Sequence, residues 1–186
     1  MSGIKKEFIK TFNEIINNNK QKELRDIWRK GKMNFTNFIS PLILKIAPLI
    51  KMESTYSYWS LDFIFYNDVF ENINYNLKDG KWAKKINVII EHENEIEKSC
   101  EEIIKLNLWK ADLKVLITYP KNNARKYTKE YIFKLYESIF KEMNVVDENE
   151  SFLILLGYDR ELPIYDFYEW DNNKKFLNML SFSKAN

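Results

Sequence analysis

The chain of 186 residues suits one domain of ordinary size, and 45% hydrophobic residues with 16% aromatics supply a packed core. Four glycines and four prolines exclude collagen-like or long low-complexity stretches, while 29 basic against 27 acidic residues leave a net charge of only +2. One cysteine and one histidine exclude an internal disulfide and a four-ligand Cys/His zinc centre, and leave His92 as the only imidazole for a hydrolytic triad.

The charge is uneven along the chain: residues 1–55 carry a net +6, residues 56–119 a net −3 and residues 120–186 a net −1. The first segment therefore reads as a basic helical layer packing on an α/β core of residues 56–186, the whole forming a single domain. Ile4, Phe8, Phe12, Ile15 and Ile16 recur at helical steps. Leu24, Ile27 and Trp28 continue that spacing after Asn17-Asn18-Asn19. A third helical piece is expected over Phe38 to Ile50, with a kink or early end at Pro48. Its apolar run is broken by Lys45 and is too short to span a bilayer, and the N-terminus has no apolar signal core. A cytoplasmic protein with no membrane partner is the expectation.

The pattern then changes to strands. Tyr56 to Tyr66 reads as one strand, and Asn72 to Leu77 and Trp82 to Glu93 flank Asp79-Gly80, a strong hairpin signal. Asn94 is expected to cap the next helix, with Glu95 and Glu97 in its first turn and Ile96, Ile103, Ile104 and Leu106 along it. Leu113 to Tyr119 reads as a buried strand and Tyr127 to Met143 as a long helix. Ser151 to Tyr158 and Ile164 to Trp170 read as strands, and Lys174 to Leu180 as a short terminal helix. The order helix, three strands, helix, strand, helix, two strands predicts an α/β fold with a mixed central β-sheet flanked by helices.

The chemistry concentrates in Ile86-Asn-Val-Ile-Ile-Glu-His-Glu-Asn94. An uncharged run suited to a central strand ends in Glu91 and Glu93. Residues two apart share a face, so the two carboxylates converge while His92 points to the opposite face, under the helix that follows. Two acids at a buried strand end repel each other unless a cation joins them, and a divalent ion satisfies both. Asp62 lies among apolar neighbours in Trp59-Ser-Leu-Asp-Phe-Ile-Phe65, 29 residues before Glu91, where adjacent strands bring the two together. Asp62, Glu91 and Glu93 are thus a candidate all-carboxylate site for Mg²⁺ or Mn²⁺.

An Asp near one strand, a hairpin, Glu-x-Glu ending the next strand, then a helix and another strand resembles the PD-(D/E)XK nuclease superfamily. The resemblance covers residues 56–119, with the N-terminal helix as a first element. It implies a restriction-endonuclease-like core of helix, three strands, helix and strand, with the C-terminal helix and strands added. It implies that Asp62 and Glu91 are the motif acids that bind Mg²⁺ and that the activity is metal-dependent phosphodiester hydrolysis of nucleic acid, DNA above all. Glu93 stands at the position of the motif lysine and Leu61 at that of the motif proline. The alternative reading is a catalytically inactive nuclease-fold protein that binds nucleic acid or a protein partner. Lys98 and Lys114 are candidates to supply the missing cation, and Glu14 a further carboxylate. Arg25, Arg29 and Lys30 in the first segment, and Arg125 and Lys126 after the buried strand, are the candidate phosphate contacts. Cleavage of both strands by such enzymes commonly pairs two sites, so a homodimer is a further expectation.

Overall fold

The structure, a computed structural model, describes residues 3–17, 21–69, 82–120, 128–143, 149–158 and 165–180. A single seven-stranded mixed sheet runs through it in sequence order, β1 (Glu53–Tyr58), β2 (Leu61–Val69), β3 (Ala83–Glu93), β4 (Leu113–Thr118), β5 (Ser151–Gly157), β6 (Tyr165–Asp171) and β7 (Phe176–Met179). The first three strands form an antiparallel meander and the last three another, while β3, β4 and β5 are parallel. The fold is mixed α/β.

The parallel strands need crossovers, supplied by α5 (Ser99–Leu108) and α6 (Lys129–Met143). Both crossovers step the same way across the sheet, so one handedness sends both helices to one face. There Ile103, Leu106, Ile132, Tyr136 and Phe140 pack on Ile64, Ile89, Leu116, Ile154 and Trp170. The other face is covered by the N-terminal helices α1 (Gly3–Phe12), α2 (Gln21–Arg29), α3 (Lys32–Leu44) and α4 (Ile46–Leu49), α1 continuing into a π-helical turn over Asn13–Asn17. Phe8, Phe12, Ile16, Phe35, Ile39 and Ile43 meet Phe63, Phe65, Ile90, Val115, Ile117 and Leu155 there. Strand β4 lies between two parallel neighbours and two helical layers, and every residue of it is buried. Among the described residues no helix is long and apolar enough to cross a membrane.

Several local expectations are corrected. Tyr56 to Tyr66 is two strands, because the chain reverses at Trp59 and Ser60, where Ser57 and Trp59 adopt φ of 55° and 56°. Pro48 acts four residues back: its ring and missing N–H disturb the bond to Leu44, and the helix divides at Lys45 into α3 and α4. Helix α5 starts at Ser99, with Glu101 and Glu102 in its first turn, and Asn94 is no cap. The Asn94 side-chain amide instead donates to Thr36 Oγ1 at 2.7 Å, tying α3 to the end of β3. The expected terminal helix is strand β7. The Asp171 carboxylate accepts from the amides of Asn173 and Lys174, and Lys175 at φ 57° turns the chain back onto β6. The expected strand at Asn72 to Leu77 and the turn at Asp79-Gly80 lie outside the described residues.

Candidate carboxylate site

The pairing of Phe63 with Ile90 and of Ile64 with Ile89, carried one residue further, sets Asp62 opposite Glu91. Pleating then fixes the faces. Asp62 shares the side of Ile64, and Glu91 and Glu93 share the side of Ile89, so all three point to the layer of α5 and α6. Glu91 and Glu93 end a strand whose parallel partner places Leu116 beside Glu91 and Thr118 beside Glu93. Carboxyl ends of parallel strands are where α/β sheets open towards ligands.

Glu91 is 1% exposed. One oxygen, Oε2, lies 3.0 Å from Lys105 Nζ, while Oε1 has no hydrogen-bond partner among the described residues. Burial pushes the Glu91 carboxyl up to about 9, the charge of Asp62 adds to the rise, and Lys105 opposes it. Lys105 projects from α5 and also meets Glu102 Oε2 at 2.5 Å. Asp62 Oδ2 accepts the His92 backbone N–H at 2.9 Å. Glu93 Oε1 accepts the Glu95 N–H at 2.7 Å, and burial raises its carboxyl above the ordinary range, with Glu102 adding to the rise. Thr118 Oγ1 is a second buried polar atom at this strand end without a partner among the described residues.

Asp62 and Glu91 are therefore brought together, and Glu93 follows on the same face with one oxygen turned to the 93–95 bend. Among the described residues no three His, Cys, Asp or Glu side chains are close enough together to share a metal. The donors nevertheless suit Mg²⁺ at the level of a pair, because that ion is commonly held by one or two carboxylates with water and substrate phosphates completing its shell. Glu91, with a buried orphan oxygen and a neighbouring carboxylate, is the fitting half of such a pair.

His92 turns to the opposite face, as expected, but it lies under the N-terminal layer rather than under the helix that follows. Glu91 faces α5, so its neighbour faces α3. The His92 ring sits 6.1 Å from that of Phe35, and its Nε2 is 2.9 Å from the Tyr119 hydroxyl, which is in turn 3.2 Å from that of Tyr165. Burial lowers the imidazole to about 4, so it is neutral at pH 7.

The lysine candidates separate. Lys114 is buried and paired with Glu150 Oε2 at 2.7 Å, towards the opposite end of the parallel strands, so it is not free to serve the site. Lys98 is exposed and pairs with Glu95 at 3.3 Å. Lys105, not among the sequence candidates, reaches Glu91. Its signal was the spacing of Lys98, Glu102 and Lys105 at four and three residues, one stripe along a helix. Glu14 is exposed, pairs with Lys10 at 3.9 Å and belongs to the layer on the other face. Arg25, Arg29 and Lys30 are exposed on and just after α2, in that same layer. Trp28 among them packs against Phe35 and Tyr119, with ring centroids 4.7 and 4.8 Å apart. Arg125 and Lys126 lie outside the described residues.

No protein-family model and no curated protein matches the chain.

Proposed function

We propose that the protein is a metal-dependent phosphodiesterase acting on nucleic acid, with DNA as substrate, Asp62, Glu91 and Glu93 as its carboxylates and Mg²⁺ or Mn²⁺ as the ion. The observation that carries this reading is the pairing of buried Glu91 with half-buried Asp62, opposed on neighbouring strands with one Glu91 oxygen unpartnered. Two facing carboxylates repel each other, and a divalent cation would relieve that repulsion more fully than Lys105 alone. The order of one antiparallel meander, a helix and a parallel strand supports a restriction-endonuclease-like core.

When bound, the ion supplies charge that polarises the phosphate and acidifies an attacking water. Asp62 and Glu91 would hold it, with Glu93 the next carboxylate along the face. Lys105 brings a positive charge to the same carboxylate and stands in for the lysine that the resemblance would place at 93. A fixed cation near developing phosphate charge favours the transition state over the ground state.

One observation favours the alternative, an inactive protein of this fold that binds nucleic acid or a protein partner: Lys105 already neutralises Glu91 without any ion. Thermal melting with and without Mg²⁺ or Mn²⁺ tests the site apart from activity. A metal-dependent rise in melting temperature, lost in Asp62→Ala, is expected. An identical rise in Asp62→Ala places the metal elsewhere and removes the proposed site.

A further inference from the structure

A second feature lies apart from the carboxylates, around the start of β3 and the end of α5. A cleft of about 430 Å³ is lined by Trp59, Trp82 and Trp109 and by Lys84, Lys85 and Lys110, with Tyr58 and Ile86 in its wall. Trp59 is 70% exposed at the β1–β2 reversal, where its φ of 56° and that of Ser57 at 55° are left-handed conformations that non-glycine residues seldom adopt. Such strain is retained where the surrounding structure fixes it, and it concentrates at functional sites. Trp82 meets Trp59 edge-to-face at 5.6 Å and Tyr58 at 6.4 Å, so the exposed indole is braced by a second ring. Helix α5 ends at Leu108, and Trp109, with extended backbone, forms the far side.

The cations are of two kinds. Lys84 and Lys85 are exposed and pair with Asp68 at 3.3 Å and Asp112 at 2.7 Å, contacts that solvent makes weak and exchangeable. Lys110 is exposed and has no ion pair among the described residues. Indole faces beside exchangeable ammonium groups suit a ligand that carries flat aromatic rings and negative charge along one chain. Apolar peptide would leave the lysines unused, and duplex nucleic acid keeps its base faces stacked internally.

We infer that this cleft binds single-stranded nucleic acid, with an unpaired base stacked on Trp59 and backbone phosphates met by Lys110, Lys84 and Lys85. The inference deepens the hydrolase reading and rests on it for the role of the strand, because β3 and α5, which contribute to the cleft, also carry Glu91 and Lys105. The β1–β2 reversal leads into Asp62 three residues after Trp59, and the helix that ends at Trp109 carries Lys105. A strand held in the cleft is thus bound by the elements that hold the reactive groups.

The test is binding of a fluorescein-labelled thymidine 12-mer, its uridine counterpart and a 12-base-pair duplex, in EDTA so that cleavage is absent. Three of the five tryptophans line the cleft, so quenching of intrinsic fluorescence gives a second readout. The expected result is tighter binding of a single strand than of the duplex, weakened roughly ten-fold by Trp59→Ala. In Lys110→Ala the salt dependence should fall by about 0.7 in log–log slope. Trp59 is largely exposed, so its variant should melt as wild type does, and a circular-dichroism melt checks this. Equal affinity in a folded Trp59→Ala, equal affinity for the duplex, or no binding of either single strand overturns the inference. Binding without metal-dependent cleavage would sink the hydrolase reading and keep the cleft. Cleavage indifferent to Trp59 would do the reverse.

Discussion

Adjacent residues of β3 sit in opposite electrostatic settings. Glu91 and His92 are both buried, one facing a carboxylate and a lysine, the other facing aromatic rings and a tyrosine hydroxyl. Burial penalises charge on each, so it raises the acid and lowers the base. For His92 the sign follows directly. The unfolded chain titrates near 6.5 and the folded one near 4, so between those values the unfolded state holds more protons. Stability contributed by neutral His92 is complete above about pH 6.5 and is lost as the pH falls towards 4, by up to about 3 kcal/mol. Urea denaturation of wild type and His92→Gln across that range checks this: the difference between the two curves should shrink or reverse on acidification, and parallel curves would refute it. The position of His92 across the sheet from Glu91 followed from strand alternation alone. Its covering helix did not, because a strand's sequence does not say which helix layer its face will meet.

Elements show the same division between what patterning fixes and what packing decides. Ile86 to Glu93 is legible as a strand because eight residues without a basic charge or a breaker suit a sheet centre, and β4 is legible from its apolar run Val115 to Ile117. Lys114 directly precedes that second run, and sequence alone favours a lysine with its head in water. It is instead fully buried, and Glu150, at the entrance to β5, satisfies it at 2.7 Å while also accepting the Ala111 N–H at 3.2 Å. Removing one partner strands a charge, so Glu150→Ala should cost about 3 kcal/mol or more in urea denaturation. The double replacement Glu150→Leu with Lys114→Met should recover most of that loss, and a cost no smaller in the double variant would contradict the pairing. Gly157, at the end of β5, faces a comparable limit. A Cβ there would lie 2.6 Å from the Tyr119 ring and 2.7 Å from that of Tyr165, both buried. Gly157→Ala should therefore destabilise by about 1–3 kcal/mol, and an unchanged melting temperature would show that the two rings move aside freely. Strand β7 reads as a helix from sequence because Phe176, Leu177 and Leu180 fit either period over so short a run. The β1–β2 reversal is not legible because no glycine or proline marks it, only two strained non-glycine residues.

At the scale of the molecule, the near-zero net charge conceals a basic helical layer on one face of the sheet and the carboxylate pair on the other. The alternation of elements makes the α/β class legible, and the 29-residue spacing across one hairpin points to adjacent strands for Asp62 and Glu91, whose register only the structure supplies. The partner of Glu91 was not, because Lys105 comes from a helix whose rotation depends on how α5 settles on Ile89 and Leu116. The central claim is that the Asp62–Glu91 pair serves metal-dependent hydrolysis. Cleavage of plasmid, linear and single-stranded DNA by wild type and Glu91→Ala, each with Mg²⁺, Mn²⁺ or EDTA, tests it most directly. The wild type should cut with the metals and stop in EDTA, and Glu91→Ala should lose roughly a hundred-fold or more, since several kcal/mol of charge stabilisation leaves with the ion. Cleavage that persists unchanged in Glu91→Ala, or in EDTA, would contradict the account.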